Sequence, residues 1–222
     1  AIEIGGSVQG LAFSPDGSTL AICSGDRATR FWDLEGRHFV GQPIRHTGFP
    51  DDVAFSPNGD LLAVAADEDM VRVWRVGTDS RLVESVDTGG QLQGAVGNPS
   101  GTHVALTGVG VRVLNQGSWD EAYPPIINNE TVWALAYSPN GVYMATGTDD
   151  GSVRLWDAAT GQPVGHEIRH AGLVRAARFS RDGSRFATGA RDGTVQVWAT
   201  ATQEPVGPGL RSDDAIYSIV FL

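Results

Sequence analysis

Phe13-Ser14-Pro15-Asp16-Gly17 returns as Phe55-Ser56-Pro57-Asn58-Gly59, as Tyr137-Ser138-Pro139-Asn140-Gly141 and as Phe179-Ser180-Arg181-Asp182-Gly183, with a worn copy at Asn98-Pro99-Ser100-Gly101. The closing glycines, Gly17, Gly59, Gly101, Gly141 and Gly183, stand 42, 42, 40 and 42 residues apart. A second landmark follows each: Phe31-Trp32-Asp33, Val73-Trp74-Arg75, Val113-Leu114-Asn115, Leu155-Trp156-Asp157 and Val197-Trp198-Ala199. The glycine precedes the Trp position by 15 residues, except in the third copy, where the interval is 13. The short repeat therefore has one cause, a two-residue deletion around Thr107 to Gly110.

Each unit reads as short strands. Val8, Leu11 and Phe13 precede the first turn, Leu20 to Ile22 follow it, Thr29 to Trp32 alternate apolar with polar, and a looser run spans Phe39 to Ile44. Asp-Gly and Asn-Gly between apolar runs are hairpin signals, because these residues tolerate positive φ. No helical period of useful length appears. Four strands at this period predict an all-β chain, a β-propeller of four-stranded antiparallel blades.

Composition narrows the function classes. The formal net charge of −10, with no Lys/Arg-rich cluster, argues against nucleic acid and anionic membrane surfaces as partners. No stretch has the length of a membrane span, and no signal-peptide pattern opens the chain. Cys23, the single cysteine, excludes an internal disulfide and suits a reducing, cytoplasmic setting. There is no G-x-S-x-G, phosphate-binding loop or paired-Cys motif, and His38, His103 and His166 lack metal-ligand spacing, so no cofactor or metal is expected.

Phe-Ser-Pro-Asp-Gly followed by Asp150-Gly151-Ser152-Val153-Arg154-Leu155-Trp156-Asp157 resembles the WD-repeat family, over nearly the whole chain. The linkers Asp157 to Val164 and Gly41-Gln42-Pro43 are similar to those of bacterial members. The resemblance implies one propeller domain over 1–222: residues 1–5 as the end of an outer strand, blades at 6–47, 48–89, 90–129, 130–171 and 172–213, and 214–222 as the innermost strand of the next. Five full repeats with partial strands at both ends do not close in register. The expected parent is a larger ring, commonly of seven blades in the family, with a five-bladed ring and a spare strand as the alternative, and open blade faces predict association of the isolated chain.

The resemblance also implies a buried hydrogen-bonded set in each blade: a His, a Ser or Thr, an Asp and the Trp. The fifth unit supplies His170, Thr188, Asp192 and Trp198. The second has His46 and Trp74, with Ala65 and Glu68 near the other places. The fourth has Thr146, Asp150 and Trp156, with Asn128 for His. The first has Asp26 and Trp32, with Ile4 for His, and the third has lost the set. Recurrence at the repeat spacing marks these residues as structural, and no catalytic residue is expected.

A partner is expected where blades differ. In the family, one face is lined by the start of each innermost strand and by the turn after the second strand. Gln9, Asp51, Gln93, Trp133, Arg175 and Tyr217 occupy the first position, six residues before the turn Pro or its equivalent. Phe49 lies two residues before Asp51, and Asp67, Asp149 and Arg191 lie at the second turn. Trp133, Arg175, Arg191 and Tyr217 fall on successive units and are of the types enriched in binding hot spots. They are the expected partner-binding residues, together with Phe49, Asp51 and Asp67 on the second blade, and the expected partner is a protein with an acidic or carboxylate-bearing segment. The competing account has Trp133 and Tyr217 packing at blade junctions and the arginines pairing with nearby acids. The function expected is a protein-interaction scaffold or sensor; the alternative is a regulatory or substrate-binding propeller appended to a larger signalling enzyme.

Overall fold

The computed structural model describes residues 2–221 apart from 57, 67–69, 78–79, 88–91 and 117. These residues contain strands and turns and no helix. They divide into two compact units, one of residues 1–106 with 113–122, the other of residues 107–112 with 123–222.

Unit 1 holds two complete four-stranded antiparallel sheets. The first is β1 (Val8–Phe13), β2 (Thr19–Ser24), β3 (Ala28–Asp33) and β4 (His38–Arg45). The second is β5 (Pro50–Phe55), β6 (Leu61–Ala66), β7 (Met70–Arg75) and β8 (Arg81–Asp87). A shorter hairpin follows, β9 (Gly94–Gly97) into the start of β10 (His103–Asn115). The predicted deletion falls within β10, which runs on as a single strand and takes positive φ at Gly110 (+89°). Cores form where sheet faces meet: Phe31, Ile44, Val53, Leu62 and Val64 in one cluster, Val71, Val73, Leu92, Val104 and Leu106 in the next.

Unit 2 holds β11 (Ile126–Tyr137), β12 (Tyr143–Thr148), β13 (Ser152–Asp157) and β14 (Pro163–Arg169), then β15 (Val174–Phe179), β16 (Arg185–Ala190), β17 (Thr194–Ala199) and β18 (Leu210–Arg211). Its core gathers Val153, Leu155, Ile168, Val174 and the fully buried Phe186. Truncating Phe186 to Ala removes a side chain of the kind that costs about 3–5 kcal/mol.

The repeated turn is a small hydrogen-bonded device. Ser180 donates its hydroxyl to Asp182 (2.6 Å), whose carboxylate accepts from the Ser184 N–H (3.0 Å), and the Arg185 N–H closes onto the Ser180 hydroxyl (3.0 Å). Ser14, Asp16 and Ser18 repeat the pattern, and Ser56 with Asn58 and Ser138 with Asn140 keep all three bonds with an amide oxygen in place of the carboxylate. The serine donors hold the carboxyls of Asp16 and Asp182 down at about 2. The turn glycines take φ between +71° and +78°, which explains why Gly closes every copy.

The chain ends differ from the sequence expectation. Residues 2–5 and 214–221 are not strands. An innermost strand takes its ladder from the second strand of its own blade, and the repeat begun at 214 has no second strand in this sequence. Ile216 nevertheless packs on Gly189 as Val174 packs on Gly147, one repeat earlier, and its N–H donates to the Ala190 carbonyl (3.1 Å). Packing survives there without strand pairing.

Candidate functional site

Every complete blade carries a β-bulge at the same place. Pairing slips between Val8 and Gly10, Pro50 and Asp52, Val132 and Ala134, and Val174 and Ala176. The extra residues are Gln9, Asp51, Trp133 and Arg175, the series read from the repeat as variable. A bulge leaves one residue outside the ladder and re-aims its side chain. The frame therefore fixes where these residues stand and leaves their chemistry free.

In unit 2 the bulge residues of successive blades meet. The Arg175 guanidinium lies over the Trp133 ring, 4.0 Å from its centroid. Burial pushes the Arg175 pKa down, the Arg191 charge pushes it further, and Tyr217 opposes the fall, so all three side chains share one electrostatic neighbourhood. Tyr217 is 62% exposed and Arg191 is exposed. Neither arginine pairs with a carboxylate among the described residues, and the buried Arg175 Nε and Trp133 Nε1 lack hydrogen-bond partners. Trp133 is thus covered by Arg175 of the next blade. Asp149, the counterpart of Arg191 one blade earlier, contacts Glu130, whose carboxyl it pushes up by hydrogen bonding and charge.

In unit 1, Phe49 is half-exposed beneath Arg27, whose guanidinium sits 4.6 Å from the ring centroid. Asp51 is exposed, yet enough protein surrounds its carboxyl to push its pKa up. Asp67 lies outside the described residues.

The fifth blade places His170, Thr188, Asp192 and Trp198 in one chain, with a member absent from the sequence expectation. Trp198 Nε1 donates to the Thr188 hydroxyl (2.8 Å), and Thr188 lies 2.7 Å from His170 Nε2. His170 Nδ1 lies 2.9 Å from the Thr194 hydroxyl, which donates to the Asp192 carboxylate (2.6 Å). A carboxylate only accepts, so Thr194 must accept from Nδ1–H, and Nε2 is left to accept from Thr188. That fixes the neutral tautomer, and burial lowers the His170 pKa from 6.5 against the opposing Asp192 charge.

Other blades keep fragments. Trp156 Nε1 donates to Thr146 (2.9 Å), and Asp150 accepts from Thr148 (2.6 Å). The Asn128 side chain lies outside the described residues. In the second blade His46 and Trp74 meet edge to face at 6.2 Å, as His170 and Trp198 do at 6.4 Å. The place of Thr188, opposite Gln196, is taken by Val64, opposite Arg72, rather than by the neighbouring Ala65. Trp74 Nε1 is consequently buried without an acceptor, and His46 Nε2 reaches Thr29 of β3 instead (2.9 Å). In the first blade Asp26 accepts from Ser24 (2.6 Å) and pairs with Arg30, which with Ser24 holds its carboxyl well below the usual range.

Among the described residues no group of three or more His, Cys, Asp or Glu is placed to hold a metal ion. The bulges, the Arg27–Phe49 stack and Thr194 are not evident from the motifs. One signal was available for Arg27: it stands where the fourth and fifth blades carry Gly151 and Gly193.

Comparison with known proteins agrees with the repeat. The family model for the WD domain, G-beta repeat, matches residues 4–33, 40–75, 127–157 and 161–199. It passes over the third repeat, where the Trp and the polar set are lost. Striatin-4 of Mus musculus is 28% identical over 170 residues, which cover 68% of this chain and 21% of that protein. Striatin-4 of Homo sapiens is 27% identical over 163 residues, with 68% and 22% covered. A probable cytosolic iron-sulfur protein assembly protein 1 of Cryptococcus neoformans is 50% identical over 40 residues, 18% of this chain and 9% of that one. The chain thus spans about a fifth of the length of the striatin-4 proteins it matches.

Proposed function

This chain belongs to the WD domain, G-beta repeat family, and on that premise we propose that it is a non-catalytic protein-interaction module whose partner docks on Trp133, Arg175, Arg191 and Tyr217. The observation that carries the reading is the Arg175 guanidinium stacked on Trp133 at 4.0 Å, beside a second arginine and without an acidic partner among the described residues. Two guanidinium groups that raise each other's energy are lowered together by an incoming anion. The docking segment is therefore acidic or carboxylate-bearing, and Trp133 and Tyr217 supply its aromatic anchors. His170, Thr188, Asp192 and Trp198, the polar residues that most resemble a catalytic set, are consumed in one hydrogen-bonded chain, which supports a scaffold over an enzyme. A cytoplasmic setting is part of the same proposal; burial pushes the Cys23 thiol up to about 12, leaving it inert.

The test is a pull-down from source-cell lysate with the wild-type chain and with a variant carrying Trp133→Ala, Arg175→Ala and Tyr217→Ala, both first shown folded by circular dichroism. A protein captured by the wild type and lost by the variant is the expected result. Capture that ignores the substitutions, or none at all, overturns the assignment of this face.

A further inference from the structure

The turn that joins β1 to β2 adjoins the turn that joins β5 to β6: a Cβ added to Gly59 would lie 3.5 Å from Cδ of Pro15. Between them opens a cleft of about 520 Å³. It lies at the opposite end of the strands from the bulge residues Gln9 and Asp51. Pro15, Phe55 and Val76 give it apolar walls, and Phe31 backs Phe55 with 6.3 Å between the ring centroids. Asp16 and Asp60 line it as well.

The repeat shows what is particular to this place. Ser18 and Thr19 line the cleft where the fourth blade carries Val142 and Tyr143, so the wall is less bulky here. Asp16 stands where the fourth blade has Asn140, and Asp60 where the fifth has Ser184. The turn itself does not need the first charge, since Asn140 makes the same bonds to Ser138 and to the Val142 N–H. Asp16 Oδ1 accepts from the Ser14 hydroxyl (2.6 Å), the Ser18 N–H (3.0 Å) and the Ser18 hydroxyl (2.8 Å), which leaves Oδ2 open. Asp60 Oδ2 accepts from Asn58 Nδ2 (3.2 Å), which leaves Oδ1 open. Neither carboxylate pairs with a cation among the described residues.

We propose that this cleft is a docking site for a lysine side chain of a partner protein. The aliphatic stem lies against Pro15, Phe55 and Val76, and the ammonium meets the open oxygens of Asp16 and Asp60. Those oxygens favour lysine over arginine. A guanidinium fork takes both oxygens of one carboxylate, and here each carboxylate has one oxygen already occupied. An ammonium turns its three donors to single oxygens on different residues. The net charge of −10 draws a cation in. The site lies within unit 1, shares no residue with the Trp133–Arg175 cluster and does not depend on that reading.

The test follows the backbone amide resonances of the isotope-labelled full chain as an end-blocked Gly-Gly-Lys-Gly-Gly peptide is titrated in. Shifts confined to the two turns, at Ser18, Thr19, Gly59 and Asp60, are the expected result. The same peptide with its lysine acetylated should cause none, and an arginine peptide should bind about tenfold more weakly. Asp16→Asn with Asp60→Ser, the residues of other blades at these places, removes both charges and keeps the turn. It is expected to weaken the lysine peptide by about tenfold or more, the loss of charge-assisted contacts. Ser18→Val with Thr19→Tyr, the residues of the fourth blade, should fill the cleft and abolish the shifts while circular dichroism stays unchanged. Should that filled variant fail to fold, the charge variant decides. The proposal falls if the lysine peptide shifts neither turn, if the acetylated or arginine peptide binds as tightly, or if a folded variant binds the lysine peptide as tightly as wild type.

Discussion

Trp74 and Trp198 show how one residue decides whether a repeated set is satisfied. Both indoles are held by a neighbouring imidazole at nearly the same distance and angle, but only Trp198 finds a hydroxyl. An unmet buried N–H costs about 1–3 kcal/mol. Val64→Thr, which restores the hydroxyl present at Thr146 and Thr188, is therefore expected to stabilise the chain by about 1 kcal/mol, read as a higher urea midpoint with unchanged m. A lower midpoint would show that the new hydroxyl finds no bond. His170 gives a second residue-scale expectation. Its pKa in the folded chain is below 6.5, so the unfolded chain binds the extra proton first as pH falls. Stability should hold above 6.5 and decline as pH drops through 6.5 toward the folded value, then level off. Comparing urea midpoints of wild type and His170→Asn across that range isolates the contribution, because the variant should lose the part of the slope that His170 causes. The His, Thr, Asp and Trp of the fifth blade were implied by the family resemblance once the repeat was aligned. Thr194 was not, since the sequence does not say which oxygen bridges Nδ1 to Asp192.

At the scale of elements, the repeat made the strands and their turns readable because Asp-Gly and Asn-Gly punctuate apolar runs at a constant interval. The bulges were hidden, since the pairing that leaves Trp133 and Arg175 outside the ladder depends on the partner strand and not on local propensity. The outer edges were hidden as well. Gln203, buried and left-handed at φ +60°, donates from Nε2 to the Val164 carbonyl (2.7 Å), and its Oε1 accepts from the His166 N–H (3.0 Å). One amide thus stands in for a neighbouring strand along β14. Gln203→Ala leaves that carbonyl and N–H open and is expected to cost about 1–3 kcal/mol. Gln203→Gly relieves the backbone but removes the same bonds, so it should recover only part of the loss. Faster amide exchange at His166 in both variants is the confirming measurement; unchanged exchange would mean that the amide is not what protects this edge.

At the scale of the molecule, the five units were countable from the sequence, while the division into two compact units was not. That division falls around residues 107–122, within the repeat that lost its Trp and two residues, so local erosion of the motif coincides with a change in how the chain is partitioned. The clearest consequence for the whole chain concerns β1. Leu11 and Phe13 are 57% and 64% exposed, whereas the residues at the place of Leu11 in the second and fifth blades, Val53 and Ala177, are 3% and 1% exposed because a neighbouring blade of the same unit covers them. A sheet face built to be covered should seek a cover, and two copies of this face can serve each other. The net charge of −10 opposes that contact, since every copy repels the next. Added salt screens the repulsion without weakening apolar burial. The isolated chain is therefore expected to self-associate reversibly, more so at high salt, in sedimentation velocity over a dilution series. Leu11→Glu with Phe13→Lys should return it to a monomer in both salts while leaving its circular dichroism unchanged. Were the wild type monomeric at the highest concentration in both salts, the exposed face of β1 would have to be tolerated by the free chain, and the proposed association would be wrong.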